Sequence, residues 1–198
     1  MDELVVDLER VREQTGFEQA HFSGHSLGGM IAPAYARKYP DRVLSLGLLS
    51  TAAGRTEDDS NKVNGVVKAM KSRGIPNVLE TLTDRWFTDS FIAANQGIIR
   101  ARLDQVIATD SDVFLNVFEI YANVEMMPWL HELNCPCLVL TGENDGGCNP
   151  RLNKGIDEAL PNSELVILPN YKHAILIEAP TDVAANMLQY IPNLNAQQ

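Results

Sequence analysis

No apolar run in this sequence approaches the roughly 20 residues that a helix needs to cross a bilayer. Nor does a basic start and apolar stretch of the signal-peptide kind follow Met1; the segment there is amphipathic and acidic. Both absences point to a cytoplasmic chain. Basic residues are few: 16 Lys and Arg stand against 26 Asp and Glu, for a formal net charge of −10. No Lys/Arg cluster breaks the acidic balance, which argues against a nucleic-acid partner and against an anionic membrane surface. Cysteine is scarce as well. Cys135 and Cys137 sit two apart at the start of an apolar run, on one face of a strand, where a mutual disulfide would need unusual geometry. Only His131 stands near enough to add to a zinc-type spacing. The expectation is three free thiols, Cys148 included, with no metal and no cofactor.

What remains is an ordinary globular composition. The 198 residues, 45% of them hydrophobic, suffice for one sizeable core, as one domain or one domain with an insertion. Leu4, Val5, Leu8 and Val11 recur at helical spacing, predicting a helix over 2–15 that stops at Gly16. Residues 19–23 read as a buried strand running into Gly24-His25-Ser26-Leu27-Gly28-Gly29. A helix follows as far as Tyr39-Pro40, with Pro33 expected to delete one hydrogen bond and bend it. Residues 43–49 form a nearly all-apolar strand, as in a parallel sheet covered on both faces. Residues 55–132 hold no convincing strand and read as helices near 60–72, 76–86, 94–108 and 111–122. A strand (137–141), a helix (151–160), a strand (165–168) and a closing helix (181–191, capped by Thr181) complete the chain. Residues 193–198 read as a frayed tail. The order is β-α-β, helical insertion, β-α-β-α. It describes an α/β parallel-sheet core, 1–54 and 133–198, interrupted by a helical cap at 55–132.

The central motif is Gly24-His25-Ser26-Leu27-Gly28. Small residues flank the serine because a sharp strand-to-helix turn must lift its hydroxyl above the sheet edge. The following helix N-terminus leaves backbone N–H groups free, so the Leu27 N–H is a natural oxyanion donor. Serine needs a base, and the base needs an orienting acid. Of the four histidines, His21 lies within a strand, His25 reads as packing near the pocket, and His131 reads as a surface residue. His173 follows the strand 165–168 in a loop at the carboxyl end of the sheet, where such folds place their sites. The loop after the strand 137–141 carries both Glu143 and Asp145. Asp145 is favoured as the acid because Gly146 and Gly147 let its short side chain turn inward, and Glu143 reads as a solvated loop carboxylate.

Together these motifs resemble the α/β-hydrolase superfamily across essentially the whole chain. The elbow Gly24 to Met30 looks like the nucleophile segment, Gly142 to Asp145 like the acid loop, and His173 with Glu178-Ala179-Pro180 like the histidine loop. A narrower resemblance is to the 3-oxoadipate enol-lactonase branch. It rests on Leu48-Leu49-Ser50-Thr51-Ala52-Ala53, on Glu80 to Thr88 and on Ala108-Thr109-Asp110. That branch hydrolyses a small anionic lactone, which implies that Trp86 and Arg85 line the pocket and meet a carboxylate. Cap packing for Trp86 and a surface ion pair for Arg85 stand as equal alternatives.

The resemblance also implies several strands before the elbow strand, with a loop, often His-Gly, that donates a second oxyanion N–H. Here one helix precedes the elbow, so the chain reads as the C-terminal portion of the sheet, a fragment or a shortened form. An open edge on the elbow strand invites pairing with another copy. The functional expectation is a serine hydrolase of a small ester or lactone. The alternatives are a small-ligand binding protein on a hydrolase fold and an inactive truncated hydrolase. Loss of one oxyanion donor costs on the order of 10²–10³ in turnover. Adding an upstream segment with an HG-type loop is therefore expected to raise ester hydrolysis sharply, and equal rates with and without it would refute this reading.

Overall fold

A computed structural model describes residues 1–195. Four strands build one sheet: β1 (Ala20–His25), β2 (Val43–Leu49), β3 (Cys137–Gly142) and β4 (Ser163–Leu168). Their order in space is their order in sequence, and every neighbouring pair is parallel. Parallel neighbours need crossovers, and helices supply them. Among the described residues, β1 pairs on one side only, with β2.

The period of two along a strand sorts the core into two layers. Leu46 and Leu48 of β2 and Val139 of β3 point to the face covered by α1 (Asp2–Thr15), α2 (Gly28–Lys38) and α8 (Pro150–Ala159). Leu49 of β2 and Leu138 and Leu140 of β3 point to the other face. They pack there on Leu168, on Ile175 of α9 (Ile175–Glu178) and on Val183 of α10 (Pro180–Asn195). All six residues of β3 are buried, which is why its sequence shows no alternation. Helix α2 continues through the buried Pro33.

Between β2 and β3 lie α3 (Glu57–Arg73), α4 (Leu79–Trp86), α5 (Asp89–Ala94), α6 (Gln96–Ala108) and α7 (Ser111–Asn123). Val67, Met70, Leu79, Leu82 and Val106 give these helices an apolar centre of their own. Several boundaries differ from the sequence reading. The helix expected at 76–86 opens as a 3₁₀ turn, Ile75–Val78, because Pro76 is favoured in a first turn, where it has no N–H bond to lose. Helix α5 was not anticipated; Thr88 caps it, its hydroxyl accepting from the Phe91 N–H. The short α9 was not anticipated either. The closing helix begins at Pro180, so Thr181 lies inside it and is not its cap. The tail expected to fray, 193–198, is helical through Asn195, and its last three residues lie outside the described residues.

The loops after β3 and β4 press together backbone to backbone. A Cβ on Gly142 would come within 2.4 Å of the Lys172 carbonyl oxygen and 2.5 Å of that of Tyr171. Nothing lies within 4 Å of a Cβ on Gly65, an exposed helical position in α3. Gly142→Ala is expected to cost about 3 kcal/mol, since the obstacle is backbone. Gly65→Ala is expected to stabilise by about 0.5–1 kcal/mol. Urea denaturation of both variants checks the contrast.

Candidate active site

Ser26 follows the last residue of β1 and has φ of 57°, a left-handed conformation that costs a non-glycine residue energy. Its backbone is tied on both sides. Its N–H donates to the Leu49 carbonyl at 2.8 Å, extending the sheet ladder by one bond. Its carbonyl accepts from the Gly29 N–H at 3.0 Å and from the Thr51 hydroxyl at 2.9 Å. The glycines make the turn possible: a Cβ on Gly24 would meet the Gly28 carbonyl oxygen at 2.0 Å, and one on Gly29 would meet Thr51 Cβ at 2.6 Å. Leu27 is the N-cap of α2. No acceptor takes its N–H among the described residues, so that donor stands free at the positive end of the helix dipole.

Asp145, after β3, and His173, after β4, meet at the same carboxyl edge of the sheet. Asp145 is 2% exposed. Its Oδ2 lies 2.7 Å from His173 Nδ1, while its Oδ1 accepts from the N–H groups of Gly147 at 2.9 Å and Cys148 at 2.8 Å. Burial alone would raise the carboxyl's pKa, but the His173 charge and these hydrogen bonds outweigh it and hold it below the ordinary value. For His173, burial would lower the pKa. The Asp145 carboxylate outweighs burial and raises it above 6.5. Glu143 faces away, and its Oε2 accepts from the Asn170 N–H at 2.9 Å. It buttresses the histidine loop at Asn170, which has a positive φ of 66°.

Ser26, Leu27, Asp145 and His173 all line one cavity of about 510 Å³. The far wall comes from the helices between β2 and β3 and is apolar: Val63, Val66, Leu82, Phe114, Val117 and Phe118. Trp86 and Arg85 also line it. Trp86 is half-buried, and the Arg102 guanidinium sits 5.6 Å from its ring centroid. Arg85 is exposed and forms no ion pair among the described residues. Four contacts hold this wall to the histidine loop. The Ala174 N–H donates to the Trp86 carbonyl at 2.8 Å, Lys172 Nζ donates to the Asp84 carbonyl at 2.9 Å and to Asp89 Oδ1 at 3.0 Å, and Glu178 accepts from the Thr88 N–H and hydroxyl.

His25, read from the sequence as packing near the pocket, lines it, and two further cavity residues, Arg102 and Cys148, escaped that reading. His25 is largely buried and donates from Nε2 to the His173 carbonyl at 2.8 Å, its ring 4.8 Å from that of His173. Arg102 had no motif to mark it. Cys148 is a free thiol, as the sequence reading expected, and it also reaches the cavity beside Asp145. Its spacing of three from Asp145, with two glycines between, was the available signal.

Burial, reinforced by the nearby His173 charge, holds the His25 pKa down to about 4. The unfolded chain binds a proton near pH 6.5 that the folded chain refuses until about pH 4. Stability is therefore lost as pH falls through that window, by up to about 3 kcal/mol. His25→Asn is expected to flatten this acid limb in urea titrations run between those two values. An unchanged slope would mean that His25 is not held neutral.

Residues 1–83 match the family described as alpha/beta hydrolase fold. Among curated proteins, 3-oxoadipate enol-lactonase 2 of Acinetobacter baylyi is 23% identical over 91% of this chain and 66% of its own length. Lipase 3 of Moraxella sp. is 26% identical over 83% of this chain and 53% of its own length. The chain thus spans about half to two thirds of such relatives. Among solved structures, the enol-lactonase from Burkholderia xenovorans LB400 superposes with a TM-score of 0.87 at 19% identity, covering 96% of this chain and 72% of that one. A thermophilic esterase from Thermogutta terrifontis gives 0.83 at 23% identity, covering 96% and 71%.

Proposed function

Since the chain belongs to the α/β-hydrolase superfamily, we propose that it hydrolyses a small carboxylic ester or lactone through an acyl-Ser26 intermediate. The observation that carries this reading is the buried His173–Asp145 pair in one cavity with a serine held at positive φ beside a free helix N-terminus. His173 takes the Ser26 proton as the hydroxyl oxygen attacks the carbonyl carbon. The carbonyl electrons move onto oxygen, and the Leu27 N–H donates to that oxyanion. Collapse breaks the ester C–O bond, and the leaving oxygen takes its proton from the imidazolium. Water, deprotonated by the same imidazole, then attacks the acyl carbon and frees Ser26. Asp145 fixes the tautomer of His173 and stabilises the imidazolium throughout.

The cavity bounds the substrate. Its volume lies within the range of small-molecule sites. Its apolar wall suits the hydrocarbon part of an acyl group, and Arg85 and Arg102 offer the cations that a carboxylate would meet. A lactone like that in the names of the enol-lactonase relatives satisfies both. No helix among the described residues is long and apolar enough to cross a membrane, and we place the reaction in the cytoplasm.

The test is labelling by a fluorophosphonate probe together with ester hydrolysis. The chain is expected to label, and Ser26→Ala to lose both label and turnover. Asp145→Asn is expected to lower kcat by about 10⁴. Because the base must be neutral and its pKa is raised, the rate should climb with pH through a midpoint above the ordinary 6.5. Arg85→Ala and Arg102→Ala should raise KM for an anionic lactone about tenfold and leave a neutral ester unaffected. Labelling that survives Ser26→Ala would remove the serine from this role.

A further inference from the structure

The proposed reaction makes no use of Cys148. Its side chain is fully buried, yet it forms part of the cavity wall. Cys148 Sγ, an Asp145 carboxylate oxygen and a His173 ring nitrogen all lie within 4.8 Å of one another. Tyr121 Oη approaches the same sulfur at 3.2 Å. A thiol, an imidazole and a carboxylate on three converging side chains are the donors of a three-ligand zinc site, with the fourth position left open. Zinc binds such atoms at roughly 2.0–2.3 Å, so the three side chains would have to draw together to close the shell. The frame around them is already fixed. Thr141 and Asn153 both donate to the Cys148 carbonyl at 2.8 Å, and the Cys148 N–H holds Asp145. The cavity provides the entry path that a buried site requires.

We propose that Asp145, Cys148 and His173 bind a thiophilic divalent cation, zinc above all, and that occupancy reversibly blocks reaction at Ser26. The blocking half rests on the reading of His173 as the base. On binding, the Cys148 thiol and the His173 imidazolium each release a proton to solvent, and the freed sulfur and ring-nitrogen lone pairs go to the metal. Whichever nitrogen of His173 takes the ion, the other carries the remaining ring proton. No lone pair is then left to receive the proton of Ser26.

Cobalt(II) tests the site directly, because thiolate ligation gives it a charge-transfer absorption that zinc abolishes by displacement. The Ser26→Ala protein, which keeps all three donors, is expected to show this band at one equivalent and to lose it on further change of Cys148 to Ala or to Ser. Magnesium, a hard cation, should not compete. In the unaltered chain, zinc should slow fluorophosphonate labelling at least tenfold and a chelator should restore it. Cys148→Ala should label at its own zinc-free rate when zinc is added. Cobalt binding without the thiolate band, or a band that persists in Cys148→Ala, would overturn the site. A Cys148-dependent band in a chain that never labels at Ser26 would support the site and overturn the hydrolase reading.

Discussion

Asp145 is 2% exposed with its pKa held below the ordinary carboxylate value, and a carboxylate so placed must be hydrogen-bonded on both oxygens or else be neutralised. The surrounding structure is arranged to meet that demand. Gly146 and Gly147 let the loop fold back, so that two backbone N–H groups reach one oxygen. The other oxygen takes the His173 ring, which requires the β4 loop to lie against the β3 loop. Gly142 allows that approach, because any side chain there would strike the carbonyls of Tyr171 and Lys172. Bonds from the Asn144 N–H to the Tyr171 carbonyl and from the Asn170 N–H to Glu143 lock the two loops together. The parallel register of β3 and β4 brings their carboxyl ends level and so makes the meeting possible.

The helices between β2 and β3 depend on the same loop. They have an apolar centre of their own. Their placement depends on the segment that carries His173. The Trp86 carbonyl, the Asp84 carbonyl and the Thr88 N–H are end groups of α4 and of the turn before α5, and all three bond to residues 172–178. Helix ends have such groups to spare, and here they are satisfied by the segment that carries His173. Burial raises the pKa of Glu178, although its bonds to Thr88 oppose the rise. The cavity wall and the imidazole are thus held by one set of contacts, and a shift in either moves the other.

Legibility in the sequence followed the range of the signal. Buried strands and the longer helices appear as local apolar patterns, and 2–15 was read to the residue because Gly16 ends it in the left-handed conformation. Ser26, Asp145 and His173 were legible as candidates because each lies in a loop at the carboxyl end of a strand, a place that strand counting alone can find. Long-range relations were not legible. His25 bonds a carbonyl 148 positions away, and the bond from the Asn170 N–H to Glu143 had no local signal either, whereas Asp145 could be favoured over Glu143 from its flanking glycines. Short helices such as α5 and α9 lack a full period of pattern; they form because the surrounding chain fixes their ends.

Position 148 separates what its backbone does from what its side chain does. The Cys148 N–H holds Asp145, and its carbonyl receives Thr141 and Asn153. A residue of any type but proline supplies that N–H and carbonyl. The side chain needs only to be small enough for a fully buried site on the cavity wall, a demand that alanine, serine or valine meets as well. Its contact with Tyr121 Oη at 3.2 Å is one that a serine hydroxyl also offers. A thiol in that place adds the soft donor that an Asp–His pair lacks, and the cavity that admits a substrate admits an ion. The proposed proton transfer between His173 and Ser26 and the proposed cation among His173, Asp145 and Cys148 would draw on the same imidazole lone pair, so the two uses would exclude each other.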